Sequence, residues 1–414
     1  MTEPLDSPGR KKALLRTPPP LSPPVPRSRA AMRFSVMAAR GEFCLQQCRQ
    51  CDTIIYPFRD ACPSCLSADL AWEAVAPTGT LIALTTIRIS PDGYFSNHMP
   101  WRAGCVRLDN GPSMMVHVHG DVLVDQHVRL IARTDKAGNG VIMALPEQDT
   151  PNMMDDPQLR ELTCSPKFRR VLITDGTSRI GQAVARSVLG AGASLVMLGV
   201  PSRPGAGTVD ADLAAREDVQ LVPLEVTDQT SVAEAAASIG AKVDILVNTA
   251  IHIRPGDVSS RGNSIADRDE MDVHYFGLLN LARSFAPILR SRGADEPRSA
   301  VAWVNLLSAF ALGNWSPMGG SAASFAAAHS AVQGLRNAMQ GSGVKVMSAF
   351  FGPTDDEWYA HLQPPKIGPD LIARKIVGGL EQGLEQVAIG AIAEDIVERW
   401  REDPDLLPRE LGRS

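Results

Sequence analysis

Arg170-Val171-Leu172-Ile173-Thr174-Asp175-Gly176-Thr177-Ser178-Arg179-Ile180-Gly181 decides the fold of the larger part of this chain. A short apolar run is followed by a glycine-bearing loop and then by an Ala/Val/Leu pattern of helical period, so the stretch reads as strand, loop and helix N-terminus. Glycines in such a loop let backbone N–H groups and the helix N-terminus approach a pyrophosphate. The same alternation recurs downstream. Near-continuous apolar runs at residues 194–198, 219–224, 243–247, 300–305, 344–349 and 386–390 are separated by Ala/Leu-rich helical stretches. Strands apolar on both faces are the signature of a parallel sheet covered by helices, which predicts a doubly wound α/β domain over residues 168–414.

Upstream the pattern changes. Four of the seven cysteines fall as Cys48-Arg49-Gln50-Cys51 and Cys62-Pro63-Ser64-Cys65. Two tight turns, each presenting two thiolates, make the tetrahedral cage that a structural Zn²⁺ prefers, and a closed Cys₄ set leaves no coordination position for catalysis. Residues 40–75 are therefore expected to be a zinc ribbon. Short strand-like runs at 79–87, 104–108, 113–118, 122–132 and 140–145 follow, which suit a small all-β barrel over 76–148. A polar connector, 149–167, leads into the α/β domain. Residues 1–39 hold eight of the 31 prolines, and residues 1–35 a local charge of +5; this composition cannot bury enough apolar surface to offset ordering, so a disordered tail is expected there.

The chain has 414 residues, and 41 Lys and Arg against 46 Asp and Glu leave a formal charge of −5. That balance argues against binding nucleic acid through bulk charge. Tyr94, Phe95 and Trp101 sit in one loop and not interleaved along a basic groove, so single-stranded nucleic acid is not the expected partner. No apolar run approaches the length of a membrane helix, and the basic N-terminus has no apolar segment behind it, so a cytoplasmic protein without membrane association is expected. His117 and His119 alternate along a strand and share one face, which reads as a packed or solvated face and not as a metal pair.

Cys48-x-x-Cys51, Tyr56-Pro57-Phe58-Arg59, Cys62-Pro63-x-Cys65, Gly79-Thr80 and Leu108-Asp109-Asn110-Gly111-Pro112 together resemble the zinc-ribbon plus OB-fold family that accompanies thiolases and related acyl-CoA enzymes. The resemblance covers residues 40–148 and implies an OB-fold barrel, an acyl-CoA ligand and a docking surface for a protein partner.

Residues 168 to about 395 resemble the short-chain dehydrogenase/reductase family, a Rossmann fold, and depart from it at the sites of chemistry. The family's Thr-Gly-x-x-x-Gly-Ile-Gly corresponds to Thr174, Asp175, Gly176, Ser178, Arg179, Ile180 and Gly181, with Asp175 at the first glycine and Arg179 at the second. A carboxylate there repels phosphate, whereas Arg179 favours a 2′-phosphorylated dinucleotide, so NADP(H) is the cofactor expected if one binds. Glu225 stands at the family's adenine-side acid, Asn248 at the Asn-Ala-Gly signature and Gly352 in the nicotinamide-side loop, where Phe351 replaces proline.

The family's catalytic Asn, Ser, Tyr and Lys match His274, Ser308, Phe325 and His329, of which only Ser308 keeps its type. A second register would put Ser321 and Phe325 at the Tyr and Lys. The first is preferred because it alone brings Ala331, Val332, Gly334 and Leu335 into step, although it lengthens the interval after Ser308. Either way a proton donor worth some 10²–10⁴-fold in rate is missing. Tyr275 and Tyr359, the two tyrosines of this domain, match no catalytic position. The expectation is a non-catalytic acyl-CoA-handling assembly subunit, oligomeric through its Rossmann domain and docked to a thiolase-like or dehydrogenase partner. The alternative is an active NADP-dependent oxidoreductase acting on a 3-oxoacyl-CoA or a ketone/alcohol through His329 or Tyr275.

Overall fold

A computed structural model describes residues 1–7, 22–23, 28–202, 205, 207–293, 299–360, 363 and 365–413. Most of the Pro-rich run, at 8–21 and 24–27, lies outside the described residues. The expected disorder does not reach residue 39. Helix α1 (Arg29–Ala38) starts from Ser28, whose Oγ accepts the Ala31 N–H at 3.0 Å, and buries Ala30, Phe34, Met37 and Ala38. That spacing is one helix face. Phe34 packs 4.8 Å from the ring of Phe58, and a Cβ on Gly140 would lie 2.6 Å from its Cδ1, so the barrel passes directly beneath it.

The ribbon strands β1 (Cys44–Cys48), β2 (Ile54–Ile55) and β3 (Leu70–Ala74) pair antiparallel in the order β2-β1-β3. Strands β4 (Thr78–Ile87), β5 (Trp101–Leu108), β6 (Ser113–Val118), β7 (His127–Thr134) and β8 (Gly140–Pro146) close into a barrel in the order β4-β5-β6-β8-β7. In β6, Met114, Val116 and Val118 point inward while Ser113 and Met115 are exposed, the period-2 pattern of a strand with one wet face. Between β4 and β5, α2 (Gly93–Asn97) carries Tyr94, whose hydroxyl donates to Glu161 at 2.9 Å; the aromatic loop packs against the connector.

That connector is ordered, not a free linker. Asp156 caps α3 (Pro157–Leu162), accepting the Leu159 N–H at 2.9 Å, and Gln158 bridges the Arg102 N–H and carbonyl. The wholly buried His119 donates from Nε2 to the Met153 carbonyl and accepts the Asp121 N–H at Nδ1, which makes it a packing residue. His117 accepts the Trp101 indole N–H at 2.9 Å.

The α/β domain runs β9 (Arg170–Ile173), α4 (Arg179–Gly190), β10 (Leu195–Val200), α5 (Ala211–Ala214), β11 (Val219–Pro223), α6 (Gln229–Ile239), β12 (Ile245–Asn248), α7 (Ile265–Met271), α8 (Gly277–Arg292), β13 (Ala302–Ser308), α9 (Gly319–Met339), β14 (Lys345–Phe351), α10 (Pro369–Gln382), β15 (Gln386–Ile389), α11 (Ala391–Glu402) and α12 (Leu407–Leu411). Its seven strands are parallel in the order β11-β10-β9-β12-β13-β14-β15, and every residue of β12, β13 and β14 is buried. The order reverses between β9 and β12, the switch point where such sheets open a crevice at their carboxyl ends. Among the described residues no helix is long and apolar enough to cross a membrane.

The two halves are joined by hydrogen bonds. Lys345, buried at the start of β14, donates from Nζ to the carbonyls of Thr134 at 2.7 Å, Leu162 at 2.8 Å and Gly383 at 3.1 Å. Thr134 Oγ1 donates to Glu385 at 3.0 Å, and the Glu385 N–H donates to the Ala39 carbonyl at 2.8 Å. Replacing Lys345 by Met strands three buried carbonyls, and we expect a loss of about 3 kcal/mol in chemical denaturation, with barrel and α/β domain no longer unfolding together.

Candidate functional site

The four ribbon cysteines converge. Their Sγ atoms all lie within 4.8 Å of one another, with Cys48 to Cys65 and Cys51 to Cys62 each at 3.5 Å. Sulfurs at the corners of a tetrahedral zinc site with bonds of about 2.3 Å are about 3.8 Å apart, so the cage fits the ion. Each turn is closed the same way: the Asp52 N–H returns to the Cys48 carbonyl and the Leu66 N–H to the Cys62 carbonyl, with Asp52 and Leu66 at φ 56° and 64°. Left-handed backbone on non-glycine residues is tolerated because the turn needs it to aim both thiolates inward. A bound zinc would serve structure, since the ribbon's own buried apolar cluster is only Cys48, Ile55 and Cys62.

At the crevice of the α/β domain, β9 delivers Thr174 and Asp175 to the loop before α4. Thr174 Oγ1 donates to Asn248 Oδ1 at 2.9 Å and accepts the Thr249 N–H at 3.0 Å, so Asn248 braces neighbouring strands. The Asp175 carboxylate turns back into its own loop: Oδ1 accepts from the Thr177 N–H at 3.0 Å, the Thr177 hydroxyl at 2.7 Å and the Ser178 N–H at 3.2 Å. Ser178 caps α4 by accepting the Gly181 N–H at 3.0 Å. The donors that would cradle a pyrophosphate are therefore held by side chains of the loop itself. Gly181 is sterically required, since a Cβ would stand 1.8 Å from the Asp175 carbonyl oxygen. Gly176 likewise lies against Leu198. Arg179 reaches across to the Asp355 carbonyl at 2.8 Å, linking the loop to the segment after Gly352, while Ile180 packs on the core. Glu225 behaves like Asp175 and accepts from the N–H and hydroxyl of Thr227.

The catalytic positions gather only in part. His274 sits in a single π turn (Asp272–Phe276), a helix irregularity common at functional sites. Its Nε2 accepts the His252 N–H at 3.0 Å, which leaves Nδ1–H to donate to Ser324 Oγ at 2.8 Å. Its ring stacks on Phe325 with centroids 3.7 Å apart, and Phe325 in turn meets Phe351 edge-on at 5.8 Å. Burial, helped by His252, pushes the imidazole down to about 3, so it is neutral.

His329 departs from the expectation. It lies against Phe350 and Trp400 and lines a cavity shared with α1 and the barrel, whose lining does not include His274. Ser321, which the second register would use, lies buried in the first turn of α9, and Phe325 one turn on is the residue that meets His274. Sequence spacing also passed over Tyr359. This buried residue of the turn Glu357–Tyr359 brings its hydroxyl to the Ser308 side chain at the end of β13. Burial first, then Asp356, holds the phenol above its ordinary range, and the Ser308 hydrogen bond draws it partly back. No motif marks Tyr359, because it reaches Ser308 from a loop seven residues beyond Gly352.

Two outcomes follow. Chelation or Cys65→Ser is expected to release the metal and expose Trp72, which packs 5.0 Å from Phe58, read as a red shift of tryptophan emission with metal loss by elemental analysis. Because the folded pKa of His274 lies below its unfolded value, its contribution is complete above about 6.5 and is lost as pH falls toward about 3. His274→Asn is expected to flatten the decline of the thermal midpoint between pH 6.5 and 4, whatever its effect at pH 7.5.

The chain matches the short chain dehydrogenase family over residues 169–365, the rubredoxin-like zinc ribbon domain of ChsH2 over 36–71 and the C-terminal OB-fold domain of ChsH2 over 72–133. It is 28% identical over 205 residues to the 1-deoxy-11-beta-hydroxypentalenate dehydrogenase of Streptomyces avermitilis, covering 47% of this chain and 72% of that one. A short chain dehydrogenase of Aspergillus terreus is 26% identical over 182 residues, 38% of this chain; the match spans only 39% of that relative's length. A short chain dehydrogenase from Burkholderia cenocepacia J2315, solved in complex with NADP, superposes with a TM-score of 0.52 at 29% identity, covering 59% of this chain and 97% of that one. The chain is thus a fusion in which a zinc ribbon and OB-fold of the ChsH2 kind precede a domain of the short chain dehydrogenase family.

Proposed function

We propose that this protein is a non-catalytic acyl-CoA-handling assembly subunit of the cytoplasm, in which the dehydrogenase domain supplies oligomer contacts and the ribbon and barrel dock a thiolase-like or dehydrogenase partner. One observation carries the reading: the Asp175 carboxylate occupies the donors at the α4 N-terminus that relatives offer to a pyrophosphate. The ring of Phe325 against His274 adds to it, because an apolar side chain fills the space beside the catalytic Asn position. The partner and the acyl-CoA ligand rest on the resemblance of residues 40–148 to the zinc-ribbon plus OB-fold family, with residues 36–133 matching the zinc ribbon and OB-fold domains of ChsH2. NADP(H) is the dinucleotide that Arg179 favours, and it enters only by displacing Asp175.

Calorimetric titration with NADPH tests this directly. We expect weak binding by the natural chain and binding at least about tenfold tighter by Asp175→Gly, which removes a charge facing the phosphates. Tight binding by the natural chain, unchanged in the variant, would refute it. Tagged protein is further expected to co-purify with a thiolase-like or dehydrogenase protein.

Tyr359 beside Ser308 favours a second reading, an active NADP-dependent oxidoreductase acting on a 3-oxoacyl-CoA or a ketone/alcohol. A neutral phenol there would give its proton to the developing alkoxide. We expect no NADPH oxidation with 3-oxoacyl-CoA thioesters; turnover that Tyr359→Phe abolishes would establish this second reading instead.

A further inference from the structure

A cavity of about 400 Å³ lies where α1, the β7–β8 turn, α9, β14 and α11 meet, so that both halves of the fusion build it. The size is that of a small-molecule site. Its walls divide by chemistry. Phe350, Trp400 and His329 give an aromatic side, with His329 edge-on to Phe350 at 5.3 Å and to Trp400 at 6.4 Å. Arg40, at the end of α1, gives a cationic side.

The charges around the cavity are unequally engaged. Asp135 spends its carboxylate on the N–H groups of Ala137 and Asn139 and on the Asn139 amide. Glu385 takes the Thr134 hydroxyl and lies 3.5 Å from Arg336. Lys136 is paired with Glu161 at 2.6 Å, and Arg336 donates to the Val346 carbonyl and Ser348 Oγ. Arg40 has no hydrogen-bond or ion-pair partner for its guanidinium among the described residues, and neither ring nitrogen of His329 has a hydrogen-bond partner there. The amides of Gln333 and Asn337 face the same space, likewise without partners. Arg401 and Arg33 add positive potential near Arg40, and Glu42, the acid beside it, is bonded to Arg401.

We infer that this cavity is a binding site for a nucleoside diphosphate, with the base against Trp400 and His329, its edge read by the Gln333 and Asn337 amides, and the phosphates on Arg40. A flat heteroaromatic ring suits an aromatic wall, and a diphosphate suits an unpaired guanidinium. The site is separate from the loop before α4, and it is built by the fusion itself, because neither α1 nor the barrel turn belongs to the dehydrogenase domain. Free nucleotides and coenzyme A share this chemistry. The coenzyme A arm rests on the acyl-CoA reading proposed above, whereas the ADP arm does not.

The test is calorimetric titration of the full chain with ADP and, separately, with coenzyme A. ADP is expected to bind, with affinity about tenfold weaker in Arg40→Ala and abolished in Gln333→Trp, an exposed helix position whose ring would fill the space. Absence of ADP binding, or binding that survives both substitutions, or binding that responds to Asp175→Gly and not to Arg40→Ala, overturns the assignment. If ADP binds as expected and coenzyme A does not, the cavity stands and the acyl-CoA reading falls.

Discussion

The ammonium of Lys345 has three protons, and three backbone carbonyls from three different segments receive them. Thr134 ends β7, Leu162 ends α3, and Gly383 is the left-handed residue that closes α10 at φ 65°. Ends of helices and strands leave carbonyls that regular structure cannot satisfy, and burying them without a donor is costly. Here one side chain answers three such ends at once. The barrel, the connector and the α/β domain are therefore parts of one packed body, and β14, which carries Lys345 at its start, carries Phe350 and Phe351 at its other end, where the cavity and the crevice are walled.

What was legible in the sequence was whatever depends on local period or on thiol chemistry. β12, β13 and β14 are apolar throughout because both faces are covered, and their runs stand out unaided. Cys-x-x-Cys pairs are equally local. Helix α1 was hidden because prolines and arginines around it dominate the composition, although Phe34, Met37 and Ala38 already carry the helical spacing. Tyr359 was hidden for a different reason: its meeting with Ser308 joins residues 51 positions apart through a loop with no periodic pattern. The surroundings of His329 are not legible either, because one helical turn changes which wall of the domain a side chain of α9 faces, and similarity to a motif does not fix that.

Asp175 illustrates how a substitution can be read correctly in sign and incompletely in role. Coulomb repulsion of phosphate follows from the sequence alone. The structure adds that the carboxylate performs for the loop what an anion would, collecting the Thr177 and Ser178 donors at the positive end of α4. Helix N-termini are stabilised by negative charge. A domain that supplies this charge from its own chain keeps the loop ordered with no dinucleotide present, and Glu225 does the same for the turn at Thr227. Both turns are thus closed by carboxylates of the chain itself.

The same logic separates the two candidate binding regions. Donors at the crevice are answered from within, while those of the interdomain cavity, Arg40 foremost, are not. Cationic and amide groups left open beside aromatic rings keep their hydrogen-bonding capacity for something outside the chain. Since α1 and the β7–β8 turn wall that cavity together with α9, β14 and α11, any occupant stabilises the arrangement of the two halves as well as itself. Joining a ribbon and barrel to a dehydrogenase domain thus creates a ligand-sensitive seam that neither part has alone, and the physical role of the fusion is to be sought at that seam before it is sought in the crevice of the sheet.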